Sequence, residues 1–162
     1  MSKIITKIGD IFSVQIDDNN KKYMQYIIND MTQLNSDVIR AFKTVYQIDD
    51  NFDLADILKG EVEFYSHCVL DIGIKYGYWK KVGNIVDVGK INHILFRDSS
   101  DYGNPAIKVS NNWWVWKIND DQKYIGKLRG KYLSAEIGIV VTPEDIVTRL
   151  RTGKYDFVYP GY

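Results

Sequence analysis

The sequence predicts an α+β fold: a β-rich single domain over residues 1–162, with a strongly bent antiparallel sheet or partial barrel and two short helices. Three observations predict it. Residues 10–16 alternate, placing Phe12, Val14 and Ile16 on one face and Ser13 and Gln15 on the other, as in a half-buried strand. The run Trp113-Trp114-Val115-Trp116 commits large aromatic side chains to β-structure. Helical signals, by contrast, are confined to two short segments.

The elements follow in order. After the first strand, Asp17-Asp18-Asn19-Asn20 reads as a polar turn of residues that tolerate unusual backbone angles. Residues 23–31 resume as a strand with Met24, Tyr26 and Ile28 together, completing an antiparallel hairpin. Residues 38–46, rich in β-branched and aromatic side chains, make a third strand. A short helix is expected over residues 54–59, capped by Asp53 and ended by Gly60. Residues 61–74 return to alternation, with Val62, Phe64, Ser66, Cys68, Leu70 and Ile72 on one side. Gly73, Gly77 and Gly83 mark a bend, turn or bulge near Trp79. Further strands are expected at residues 93–96, 107–109, 113–118, 124–128 and 137–141. The clearest helix comes last: Thr142 caps it, Pro143 suits its first position, and Glu144 and Asp145 favour its positive end. Ile146, Val147 and Leu150 form its apolar stripe, and Gly153 stops it.

Composition narrows the function classes. Apolar residues make up 45% and charged residues 26%, which is ordinary for a globular chain of 162 residues. Lysines and arginines number 21, as do the acids, so no net positive field favours nucleic acid or an anionic membrane. The single cysteine, Cys68, excludes an internal disulfide or a cysteine-based zinc site and reads as a core thiol. No apolar run approaches the roughly 20 residues of a membrane span. Residues 1–7 carry no secretory pattern, so a cytoplasmic protein is expected.

Catalytic and metal-binding patterns are weak. His67 lies between Ser66 and Cys68, but neighbours on a strand face opposite ways. His93 has no nucleophile signature near it. Asp49, Asn51 and Asp53 imitate the start of a calcium loop, yet Leu54 and Gly60 stand where an EF-hand needs glycine and glutamate. Glu61 and Glu63 share a strand face, as pairs on exposed sheets commonly do. The glycines do not fall in a phosphate-loop or dinucleotide spacing. No catalytic residue, metal site or cofactor is expected. Alternation puts Trp114 and Trp116 on one face and Trp113 and Val115 on the other. Both faces are expected to be covered. An exposed Trp113, among the lysines and arginines of residues 117–131, would instead offer a platform for stacking bases.

Two stretches resemble the Imm26 family of bacterial immunity proteins, which accompany polymorphic toxins. The first is Lys7-Ile8-Gly9-Asp10-Ile11-Phe12-Ser13-Val14, followed across the polar turn by Tyr23-Met24-Gln25-Tyr26-Ile27-Ile28. The second is Gly73-Ile74-Lys75-Tyr76-Gly77-Tyr78-Trp79-Lys80-Lys81-Val82-Gly83. A proline expected soon after that glycine is absent. The resemblance implies a non-catalytic protein that binds a cognate toxin and blocks it, with Gly9, Asp10, Trp79 and Gly83 setting the fold. Tyr23, Tyr65 and Trp113 are the candidate contact residues, on the expectation that they are exposed. Nucleic-acid binding through the C-terminal half is the alternative, and a homodimer stays open.

Overall fold

The computed structural model describes residues 3–162 and contains two sheets that do not close into a barrel. The first has β1 (Asp10–Gln15), β2 (Asn20–Asp30), β3 (Ser36–Phe42), β4 (Tyr46–Gln47), β5 (Val62–Cys68) and β6 (Lys80–Asn84), in the order β5-β3-β2-β1-β6, with β4 also on β2. The second has β7 (Leu95–Ser99), β8 (Trp113–Lys117), β9 (Lys123–Gly126) and β10 (Glu136–Ile137), in the order β10-β7-β8-β9. Every pairing is antiparallel except that of β10 with β7. Three short α-helices complete the α+β fold: α1 (Leu54–Ile57), α2 (Leu70–Lys75) and α3 (Pro143–Thr152). A 3-10 turn covers Gly130–Ser134.

Local chemistry sets several of these elements. Asp17 Oδ1 accepts from the backbone N–H groups of Asn19 and Asn20, both at 2.8 Å, and so closes the β1–β2 hairpin. Asp53 accepts from Ala55 N at the start of α1, and Thr142 Oγ1 accepts from Asp145 N at the start of α3. Gly153 ends α3 in the left-handed region, with φ +88°.

One face of the first sheet carries Phe12, Met24, Tyr26, Ile39 and Phe64, and α2, Trp79 and α3 close over it with Leu70, Ile146 and Leu150. Its other face is shared. At one end α1 covers Ile11, Tyr23 and Phe42 with Ile57. At the other end β7 and β8 cover Ile27 and Val38 with Phe96 and Trp116.

The join between the sheets is polar. Asp30, at the end of β2, is fully buried. Its Oδ2 accepts from His67 Nε2 at 2.8 Å and Trp116 Nε1 at 3.1 Å; its Oδ1 accepts from Thr32 and from Asn119 N. Burial alone would raise this carboxyl, but these hydrogen bonds outweigh it and hold the group well below the ordinary carboxylate range.

Several expectations are corrected. The strand expected to run to residue 74 stops at Cys68, and Leu70–Lys75 is helical. Asp37 accepts from Leu70 N at the turn, and helical spacing carries Leu70, Gly73 and Ile74 inward while Ile72 stays exposed. Residues 38–46 are two strands, because the chain leaves β2 after Ala41 and Lys43 N donates to Glu61 O instead. Met24 and Tyr26 share a face but Ile28 does not. A bulge between Tyr26 and Ile28 turns it toward the Phe96 cluster. Residues 107–109 form no strand; Val109 makes only an isolated bridge with Gly161.

Candidate functional site

A surface cavity of about 740 Å³ lies over the face of β6, β1 and β2. Its wall is built by the two stretches that sequence analysis singled out, which lie side by side: Asp10 pairs with Asn84, Ile11 with Gly83, Phe12 with Lys81 and Ser13 with Lys80. Gly9 turns into β1 at φ +97°, and a Cβ there would stand 2.5 Å from Ile85 O. Asp10 is fully buried and accepts from Lys7 N, Asn84 Nδ2 and Lys81 Nζ, at 2.8, 2.9 and 3.0 Å. Burial opposes ionisation of Asp10, yet these partners hold its carboxyl below the ordinary value. Trp79 Nε1 donates to Leu70 O at 3.1 Å, and the indole lies so close to Gly73 that a Cβ there would meet it at 1.9 Å. Gly83 makes room for Leu54 of α1, whose Cδ1 would lie 2.3 Å from an added Cβ.

The opposite wall is the β4–α1 loop. Lys21 Nζ pins it by donating to Ile48 O and Asp50 O, both at 2.8 Å. Behind it an aromatic series runs from Tyr23 to Tyr46, 5.3 Å between centroids, and from Tyr46 to Phe52, 4.5 Å. Tyr78 closes one end and donates to Glu144 Oε1 of α3 at 2.7 Å. Lys21, Lys80 and Lys81 line the groove; histidine, cysteine, aspartate and glutamate do not. Its chemistry is therefore that of contact: aromatic faces and ammonium groups. An acid–base pair has no place in this lining.

The residues picked as contacts are scattered. Tyr23 lies under the groove at 4% exposure. Tyr65 is half-buried on β5, with its hydroxyl 3.5 Å from His93 Nε2, away from the groove. Trp113 is fully buried and donates through Nε1 to Ser110 O at 2.9 Å. The expectation of exposure is corrected for Tyr23 and Trp113, whereas Tyr65 keeps part of its surface open. Ile125 of β9, Leu128, Tyr132 and the tail after α3 cover Trp113, so the base-stacking platform built on it is not present. The groove's exposed Phe52 and Lys80, and its half-buried Tyr78, were missed. Tyr78 and Lys80 lie inside the recognised second stretch, and that adjacency was the available signal. Phe52 sits in an aperiodic loop that offered none.

Other reactive groups are occupied or buried. His67 is fully buried against Phe96, with ring centroids 4.2 Å apart, and its Nε2 is engaged by Asp30. Burial pushes the Cys68 thiol well above its ordinary value. Glu63 pairs with Lys22 at 3.0 Å and Glu61 with Lys43 at 3.8 Å, so the two carboxylates are not a working pair.

The family model described as Immunity protein 26 matches residues 7–103. The chain belongs to the Immunity protein 26 family. All residues lining the β6 groove fall within that match, whereas β8, β9, β10 and α3 lie beyond it. No curated protein and no solved structure matches the chain. Membership in the Immunity protein 26 family supports an immunity role. No helix among the described residues is long and apolar enough to cross a membrane.

Proposed function

We propose that this protein binds a cognate bacterial toxin and neutralises it stoichiometrically, without catalysis, within a polymorphic toxin system. The family match over residues 7–103 carries this reading. The β6 groove is its contact centre, because the family-matched segment supplies its entire lining. Phe52, about half exposed, is suited to act as an aromatic anchor, and Lys80 and Val82 of β6 line the same groove. The acidic residues Asp49, Asp50 and Asp53 beside the groove supply a charged rim of the kind that steers association and selects partners.

The test is co-expression with each protein encoded next to this gene, followed by affinity purification. One neighbour should be toxic alone, harmless in company, and recovered in equimolar complex. Phe52→Ala together with Lys80→Glu should then weaken that complex by about tenfold or more without unfolding the chain, a loss of ~1.4 kcal/mol. If no toxic neighbour binds, the reading fails. If one binds but the double variant is indifferent, the groove assignment alone fails.

A further inference from the structure

A second cavity, about 430 Å³, opens between the second sheet and the C-terminal end of α3, largely in the part of the chain beyond the family match. Its notable group is Arg97 of β7. Arg97 Nε donates to Ala135 O at 3.0 Å, while its buried Nη1 has no hydrogen-bond partner. No carboxylate pairs with this guanidinium among the described residues. The rings of Trp113, Tyr159 and Tyr162 surround it instead, at 4.9, 5.6 and 5.2 Å. Aromatic faces hold a cation in place but offer its N–H groups no lone pair in the ring plane. The fork is thus positioned and left without an anion.

The rest of the lining has the same bias. Arg149 and Lys154 add two cations, and Glu136 is the one carboxylate, already engaged by Arg149 at 3.2 Å. Tyr155 and Phe157, stacked at 4.8 Å, form an apolar wall. Gly153, the end of α3, also lines the space, and the negative end of a helix dipole opposes a multiply charged guest. We propose that this cavity binds a single organic carboxylate with an aromatic or apolar body, the carboxylate meeting Arg97 and the body lying on Tyr155 and Phe157. A guanidinium N–H gives a carboxylate a charge-assisted hydrogen bond, which is stronger than a neutral one. The carboxylate can belong to a free small acid or to the C-terminus of a peptide.

Titration calorimetry with sodium benzoate against the intact protein, at constant ionic strength, tests this. Saturable one-to-one binding is expected, weakened about tenfold or more in Arg97→Gln, the loss of a charge-assisted hydrogen-bonded pair. Arg97 packs under three rings, so that variant's fold is checked by near-ultraviolet dichroism. Ser134→Tyr, on the exposed lip, blocks the entrance without touching Arg97 and should abolish binding independently. A Gly-Phe dipeptide that binds better than benzoate, and loses binding when amidated, identifies a peptide C-terminus as the source. Equal or weaker binding identifies a free acid. Absence of saturable benzoate binding, unchanged binding in the folded variants, or tighter binding of inorganic phosphate would overturn the proposal.

Discussion

Single residues do their work here mostly through burial. Asp30 receives donors from β5, β8 and two loops, so it holds the two sheets in register. Its folded pKa is depressed, so its stabilisation is complete above the unfolded value of 3.8 and is lost as pH falls below it. Urea unfolding of the native protein should weaken on acidification through that region, and Asp30→Asn should show a smaller acid dependence. At neutral pH the variant should be about 3 kcal/mol less stable, since the amide faces buried donors with a donor of its own. An acid dependence identical in the two proteins would remove Asp30 from this role. Cys68 yields a simpler expectation. Iodoacetamide should modify it only after denaturant is added, and rapid labelling of the native protein would contradict its full burial.

The elements divide by how local their determinants are. β1, the hairpin turn, α1 and α3 were legible because each is written in adjacent residues: alternation, an Asx turn, an N-cap, a C-terminal glycine. Thr142→Ala should therefore lower stability by ~1 kcal/mol through loss of the α3 cap, whereas Thr142→Ser should be close to neutral. Equal melting temperatures for the alanine variant and the parent would show that the cap contributes nothing. α2 was misread because Leu70 and Ile72 extend the alternation of β5 by two more positions. What settles that segment is Trp79, whose indole needs the vacant face of Gly73 and the carbonyl of Leu70. Gly73→Ala should accordingly cost about 1–3 kcal/mol by overpacking, with the indole displaced and its fluorescence altered. A silent substitution would mean that this contact is loose.

At the scale of the molecule the two sheets share one interface, from Ile27 and Val38 to Phe96 and Trp116. We expect a single unfolding transition, with far-ultraviolet dichroism and tryptophan fluorescence coinciding along urea. Two separated transitions would mean that the sheets fold as independent units. The groove is also a property of this scale: residues 13, 21, 52 and 79 reach it from two strands and two loops, and periodicity cannot report such convergence. The contact residues chosen from alternation failed for a related reason. Alternation says that Trp113 and Trp116 face opposite ways, but it does not say that both directions are interior. By itself the sequence determined the fold class, most strand positions, the helix caps and the two stretches that carry the family, because each rests on interactions between near neighbours in the chain. Only the tertiary structure decided where β5 gives way to a helix, which aromatic residues stay in reach of a partner, and that Arg97 stands beside a cavity without an anion. Those outcomes depend on which distant surfaces exclude water from one another, and no local window of sequence contains that information.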